Sequence, residues 1–179
     1  MDLNLLSFAH HRPLGYHAVG DLTPSAEIAD TLKVTDCAGG RIVAGHIIGG
    51  REDCIDVNNH CEGIVIEAAV LEPRGKYIAT IKGGSRHITL RCPCVIGHGT
   101  ETDIDLGNIS DQSDEVTGPT LLDCQHQLGP LEPIRVRVLG ATRPILLNPI
   151  QRYEITVVVP GFFRSWFLKA AKQLKKIFR

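Results

Sequence analysis

Residues 49–59 (GGREDCIDVNN) carry carboxylates whose types and spacing suit acid–base chemistry. Asp53 stands at the entrance to an alternating apolar run, and Asp56 is on the outward side of that run. One carboxyl group of such a pair can protonate a glycosidic oxygen while the other activates water, which is the chemistry of glycoside cleavage. A solvated acidic ladder and a calcium site are the alternative interpretations.

Asp105 extends this candidate site. It occupies the outward position equivalent to Asp56 two repeats further along, with Thr80 between them. If successive repeats stack at the strand spacing, two steps separate the carboxylates by roughly 9–10 Å. That distance is near the upper end of the separation in an inverting glycosidase. His98 and Asp103 are close to Asp105 in the chain.

An internal repeat positions these residues. Short alternating runs such as Ile55-Asp56-Val57 and Ala79-Thr80-Ile81 recur, and a turn-favouring residue comes two residues after each run. The turn residues follow one another at spacings of 23, 24, 25 and 32, and they are Asp36, Asn59, Gly83, Asn108 and Gly140. A repeat of this length without a helical pattern predicts a parallel β-solenoid with one coil per repeat. A sandwich of antiparallel hairpins is the alternative, but the Asn-Gly and Asp-Gly turns typical of it are absent.

The repeat divides the chain into three parts. We expect an N-terminal arm and cap over residues 1–29, the solenoid over 30–160 and a basic amphipathic helix over 161–179. Thr23 and Pro24 have the types of an N-cap and a first helical residue, so residues 23–33 are predicted to begin as a short helix.

The longest interval, between Asn108 and Gly140, implies an insertion of roughly eight residues. The inserted run, residues 109–119, is polar, and loops that project from one face of a repeat array often carry function. The candidate binding residues there and in the preceding coil are acidic: Asp103, Asp111, Asp114 and Glu115.

Six cysteines in a chain without a signal peptide favour reduced thiols. Zinc binding is the alternative, since Cys92 and Cys94 or Cys54 and Cys61 look like ligand pairs, but neither pair has the two-residue spacing of a zinc knuckle. We expect these thiols to be small buried apolar groups.

The C-terminal residues 161–179 have six cations and no acid, whereas the rest of the chain holds 13 basic and all 20 acidic residues. The apolar residues of this segment recur with helical periodicity, which predicts an amphipathic helix. We expect the helix to dock on the solenoid or on another subunit, and a membrane surface or a partner's groove are the alternatives. A stripe of apolar outward positions offers a docking surface. The candidate interface residues on the stripe and the helix are Ile42, Val65, Leu121, Leu146, Phe163, Trp166, Phe167 and Leu174.

The coil pattern over residues 30–160 resembles the right-handed parallel β-helix superfamily, which includes pectate-lyase-like enzymes and phage tailspike or virion proteins. Residues 52–58 and the Gly97-His98-Gly99 triplet are similar to two polygalacturonase motifs. That resemblance implies Asp53 as the general acid, Glu52 as the group that activates water and His98 as their support. The chain departs from that family in the two-coil interval between the motifs, and it lacks both the upstream Asn-Thr-Asp and the Arg-Ile-Lys element.

The resemblance implies an all-β fold, a right-handed parallel β-helix of about five coils with a terminal cap and helix. Five coils, end caps and an apolar stripe favour a structural or binding module of a phage or viral particle, expected to be a homotrimer that contacts cell-surface polysaccharide. A carbohydrate-active enzyme that uses Asp53, Asp56 and Asp105 is the alternative. We expect no cofactor unless calcium binds, and the acidic body argues against nucleic acid. The N-terminus lacks a signal peptide, which predicts synthesis in the cytoplasm before assembly into the virion.

Overall fold

The computed structural model of the chain describes residues 3–107, 118–139 and 145–158. Across these residues the protein is all-β and contains no helix, and it forms a parallel β-solenoid of about five turns. The prediction of a parallel solenoid from the sequence repeat is therefore confirmed. The insertion with Asp111, Asp114 and Glu115 and the predicted C-terminal helix lie outside the described residues.

Two parallel sheets form the walls of the solenoid, and the chain alternates between them. The odd-numbered strands form a seven-stranded sheet: β1 (Asn4–Ala9), β3 (Asp30–Thr35), β5 (Asp53–Asn58), β7 (Tyr77–Ile81), β9 (Ile104–Leu106), β11 (Ile134–Leu139) and β13 (Tyr153–Val158). The even-numbered strands form a six-stranded sheet: β2 (Gly15–Leu22), β4 (Ala38–Ile48), β6 (Glu62–Glu72), β8 (Ile88–Val95), β10 (Thr120–His126) and β12 (Ile145–Leu147).

The core fills the space between the two sheets with rows of aligned apolar side chains. In the seven-stranded sheet the strand register places one inward residue of each strand beside the next, and these residues are buried: Leu32, Ile55, Ala79, Ile104 and Val136. In the six-stranded sheet Cys92 pairs with Cys124, and both are buried. All six cysteines are free thiols. Burial raises the pKa of the Cys92 thiol to about 12, so this thiol packs as an apolar group.

The predicted turn positions have left-handed backbone angles. The φ angle is +49° at Asp36, +54° at Asn59 and +65° at Gly83, while Asn108 and Gly140 lie outside the described residues. A Cβ atom at position 83 would lie 2.5 Å from the backbone nitrogen of Asn59. Aspartate and asparagine tolerate the positive φ, and at position 83 close packing on the neighbouring coil also requires glycine.

The N-terminal segment differs from the expected cap. Residues 23–29 form no helix, since β3 begins at Asp30 and the backbone of Ala29 donates to Leu3 O while Ile28 O accepts from Arg51. Hydrogen bonds between coils therefore replace those that a short helix would have made. In addition, β1 pairs with β3 and β2 pairs with β4, so the solenoid begins at Asn4 rather than near residue 30.

Candidate functional site

The outer face of the seven-stranded sheet carries one aligned row of polar side chains. Strand register places Lys33 beside Asp56, Asp56 beside Thr80, Thr80 beside Asp105, and Asp105 beside Arg137. The predicted spacing of Asp56 and Asp105, two strands apart with Thr80 between them, is thus what the structure shows. The row is not a solvated ladder, however, because Asp56, Thr80 and Asp105 are only 1%, 3% and 2% exposed.

Cations from neighbouring strands hold both acids of this row. Lys33 Nζ lies 3.0 Å from Asp56 Oδ2 and 3.2 Å from Asp30 Oδ2, and Lys82 Nζ lies 3.3 Å from Asp56 Oδ1. The Arg137 guanidinium donates two hydrogen bonds to Asp105, of 3.0 and 2.7 Å. That interaction raises the pKa of Arg137. Burial raises the pKa of Asp105, and the Arg137 hydrogen bonds oppose that shift.

Asp53 belongs to the same polar cluster, and its protonation is shifted by burial. Burial raises the pKa of Asp53 to about 8, and the nearby carboxylates of Asp30 and Asp56 act in the same direction. Thr80 and Lys82 oppose this shift without cancelling it. At neutral pH Asp53 is therefore largely protonated, beside an Asp56 that two lysines contact.

Three atoms at the centre of the cluster have no directed hydrogen bond. They are Asp53 Oδ1, Asp56 Oδ1 and Thr80 Oγ1, all buried. The Thr80 hydroxyl is close enough to Asp53 to lower its pKa, and Lys82 Nζ is 3.3 Å from Asp56 Oδ1, but neither contact has the geometry of a hydrogen bond. Buried polar atoms that lack a well-directed hydrogen bond are unusual and mark a strained or functional position.

This arrangement places a carboxyl group that is largely protonated at neutral pH near Asp56, which two lysines contact, and glycoside cleavage uses one carboxyl group as acid and another as base. Access is the difficulty, because all three candidate acids of the sheet are buried in the described arrangement. A polysaccharide therefore has no direct access to these carboxyl groups in this arrangement.

Glu52 lies outside this cluster. Its carboxylate is partly exposed and is 3.6 Å from Lys76 Nζ. The implied partnership with Asp53, in which Glu52 activates water, has no contact in the structure to support it.

His98 lies in a second cluster, at the turn between β8 and β9. Its Nδ1 is 3.0 Å from Asp103 Oδ2, and its Nε2 is 3.1 Å from Glu132 Oε1. The ring also stacks on His126 with 4.7 Å between centroids. The repeat thus places Asp56 and Asp105 two strands apart in one row, whereas His98 contacts Asp103 and Glu132 rather than Asp53.

Asp103 is a structural residue rather than an accessible binding group. It is completely buried and accepts hydrogen bonds from the Gly99 backbone, the Arg135 backbone and the Arg135 side chain. Burial alone would raise the pKa of Asp103, but these bonds, together with that from His98, lower it below the ordinary value. The structure therefore places the predicted binding residue Asp103 in the interior, where hydrogen bonds from the protein itself satisfy its carboxylate.

Sequence reasoning missed the other members of both clusters. Lys33, Lys82 and Arg137 come from three different coils, and Glu132 and Arg135 are more than 30 residues from His98 and Asp103. The repeat offered one signal, because Lys33 and Arg137 occupy the same outward position of their runs as Asp56.

The predicted apolar stripe on the six-stranded sheet is interrupted. Val65 pairs with Arg41 on one side and with Thr89 on the other, while Leu121 pairs with Leu146. Ile42 is not on this face, because it pairs with Ile66 and is fully buried in the core. Leu146 is the stripe residue that is strongly exposed, at 58%. The predicted interface residues of the C-terminal segment lie outside the described residues.

Over residues 3–107, 118–139 and 145–158, no group of three or more His, Cys, Asp or Glu side chains is arranged to hold a metal ion. Nor does any helix among them have the length and apolar character to cross a bilayer.

Comparisons with known proteins give no match, either to a family model, to a curated protein or to a solved structure.

Proposed function

We propose that this chain is a structural and binding module of a phage or viral particle, made in the cytoplasm and assembled as a homotrimer that contacts cell-surface glycans. The observation that carries this proposal is the open edge at β13. Ile155 pairs with Val136 and Val157 pairs with Val138, so both extend rows of inward core residues. Val136 and Val138 are only 1% and 4% exposed. Ile155 and Val157 are nevertheless 44% and 45% exposed.

An exposed core row beside an unpaired strand edge is a surface that proteins ordinarily cover. The strand β13 pairs with β11 on one side, and no described strand pairs with its other side. Leu146 on the edge strand β12 is 58% exposed and adds apolar area near the same end. These features support assembly through the β12 and β13 end of the solenoid.

The buried acids also support a structural rather than a catalytic role. Asp56 and Asp105, the best catalytic candidates, are held by lysine and arginine side chains in the manner of structural ion pairs. Such pairs join adjacent coils and need no substrate to explain them.

The solution mass tests the assembly. Light scattering on a sizing column should give about three times the 19.5 kDa mass of one chain. Ile155→Glu places a charge on the exposed row and should lower the mass to that of a monomer. Leu128→Glu, at an exposed turn residue, is the matched control and should leave the trimer intact. A chain ending at Pro160 measures the contribution of residues 161–179. A monomeric full-length chain would refute the trimer.

A carbohydrate-active enzyme is the second candidate, and the protonated state of Asp53 beside Asp56 favours it. Asp53→Asn keeps the shape of the side chain but removes its titration, so it should abolish any polysaccharide cleavage. Glu27→Gln, at an exposed acid away from the cluster, is the control. If the wild-type chain cleaves no polysaccharide at any pH between 4 and 9, this second candidate is rejected. If Asp53→Asn cleaves as fast as the wild type, Asp53 is not the general acid.

A further inference from the structure

A cavity of about 250 Å³ opens at the corner where the chain passes from the six-stranded to the seven-stranded sheet. Three successive connections form its walls: residues 24–26 between β2 and β3, residues 49–51 between β4 and β5, and Arg74 between β6 and β7. Gly49, Gly50 and Arg51 directly precede the candidate acids in the sequence, but they line this cavity rather than the buried acidic cluster.

The charge of the cavity lining is positive. Arg51 and Arg74 contribute guanidinium groups, and no acidic residue lines the cavity. Within the described residues Arg51 forms no ion pair. Arg74 Nε is 4.0 Å from Glu72, the outer limit of an ion pair, and Glu72 also contacts His46 at 3.1 Å. Both guanidinium groups therefore keep donors for a ligand.

The rest of the lining is small and partly apolar. Pro24 and Ala26 provide apolar surface, and Ser25 supplies a hydroxyl group. A Cβ atom at Gly50 would lie 2.4 Å from Ala29 O, and one at Gly49 would lie 2.9 Å from the backbone nitrogen of Arg74. The two glycines therefore permit the close approach of coils that brings both arginines to one opening.

We propose that this cavity binds a small polar ligand carrying an oxyanion, with Arg51 and Arg74 as the anion-binding residues and Ser25 as an additional hydrogen-bonding group. Guanidinium groups match the oxygens of carboxylates and phosphates through paired hydrogen bonds. The volume is below the roughly 300–1,000 Å³ typical of pockets for drug-sized ligands, which suits a single sugar ring bearing one charged group.

This inference deepens the proposed function, because it assigns a ligand chemistry to the glycan-contacting role of the solenoid. The two can fail separately. A monomeric chain that binds the charged sugars would support the cavity and contradict the trimer, while a trimer that binds none of them would do the reverse.

Calorimetric titration of the full chain at low ionic strength tests the cavity with three sugars of similar ring: glucuronate, glucose 6-phosphate and glucose. The charged sugars should bind and glucose should not. The two charged sugars also distinguish a carboxylate from a phosphate as the preferred anion. Inorganic phosphate is the fourth probe, and it should bind more weakly than glucose 6-phosphate if the sugar ring contacts the cavity.

Substitutions then locate the binding. Arg51→Gln and Arg74→Gln should each weaken binding of the charged sugars by about tenfold or more, since each removes hydrogen bonds to a charged group. Arg152→Gln is the matched control, because Arg152 is exposed and does not line the cavity. Ala26→Leu fills the cavity without changing its charge and should also weaken binding.

Four results would overturn the proposal. Glucose could bind as tightly as the charged sugars, which would exclude recognition of the anion. Arg51→Gln and Arg74→Gln could retain the wild-type affinity, or Arg152→Gln could lose as much as they do, which would show diffuse surface attraction. Inorganic phosphate could bind as tightly as glucose 6-phosphate, which would exclude a sugar-binding role.

Discussion

The outer faces of the two sheets carry charged side chains in similar sequence patterns but in different surroundings. On both faces acids and bases from adjacent coils meet at outward strand positions. The seven-stranded sheet has Lys33, Asp56, Asp105 and Arg137, and the six-stranded sheet has Arg41, Glu67, Arg91 and Asp123.

Burial separates the two faces. The Asp56 and Asp105 side chains are each 2% exposed, whereas those of Glu67 and Asp123 are 19% and 44% exposed. In the exposed ladder a hydrogen bond from Arg41 lowers the pKa of Glu67. On the buried face desolvation instead raises the pKa of Asp53 to about 8. The same residue types thus stabilise or strain the fold according to how much water reaches them.

The largest effect should come from breaking a buried pair. Arg137→Met leaves Asp105 buried and unpaired, and it also removes the donor to the Tyr77 hydroxyl, 2.9 Å away. We expect the free energy of unfolding in urea to fall by about 3–5 kcal/mol.

Arg91→Met is the matched control on the exposed face and should cost less than about 1 kcal/mol. If Arg137→Met does not fold, the double variant with Asp105→Leu should recover a folded chain, because it removes the uncompensated charge as well. Equal losses for Arg137→Met and Arg91→Met would contradict the contrast between the faces.

A pH-dependent effect should follow from Asp53→Asn. The pKa of Asp53 is about 8 in the folded chain and near its ordinary value of 3.8 in the unfolded chain. The folded state therefore binds this proton more tightly, so the Asp53 contribution makes the fold less stable as pH rises from about 4 to 8.

Asparagine cannot titrate, so Asp53→Asn should lack this loss. Relative to wild type, the variant should become progressively more stable between pH 5 and 8, as urea unfolding at several pH values will show. The control is Ile55→Val, a buried substitution that changes no charge. Its free energy of unfolding should differ from that of the wild type by the same amount at every pH. Parallel curves for wild type and Asp53→Asn would show that Asp53 has an ordinary pKa.

The smallest effect should come from Glu67→Gln on the exposed face. Glu67 accepts hydrogen bonds from both Arg41 and Arg91. Since its folded pKa is lowered, its contribution is present above the unfolded value and is lost as pH falls through the folded value.

At pH 7 the substitution should cost less than about 1 kcal/mol, and the cost should shrink in 1 M salt because exposed charges are screened. Urea unfolding at low and high salt measures both. A loss that persists in high salt would mean that this ladder behaves as a buried one.

Much of the backbone could be predicted from the sequence because the repeat encodes it locally. Alternation within each run determines which residues are inward, and turn residues such as Asp36, Asn59 and Gly83 adopt the left-handed angles that their types allow. The alignment of Asp56, Thr80 and Asp105 follows from the same period. The predicted helix near residue 23 was wrong because bonds to neighbouring coils outweighed a local capping signal.

The tertiary structure decided the environment of those residues. The repeat of about 24 residues predicts that Asp56 is on the outer face of the sheet. It does not predict that Lys33 and Lys82 contact Asp56 or that Asp56 is buried. The partners of His98 and Asp103 come from residues 132 and 135, across a longer interval than the repeat. The sequence by itself thus determined the solenoid and its register, since both depend on local alternation and turn chemistry. Which acids are neutral, paired or available to a ligand depends on burial and on charges from distant coils, and these exist only once the chain has folded.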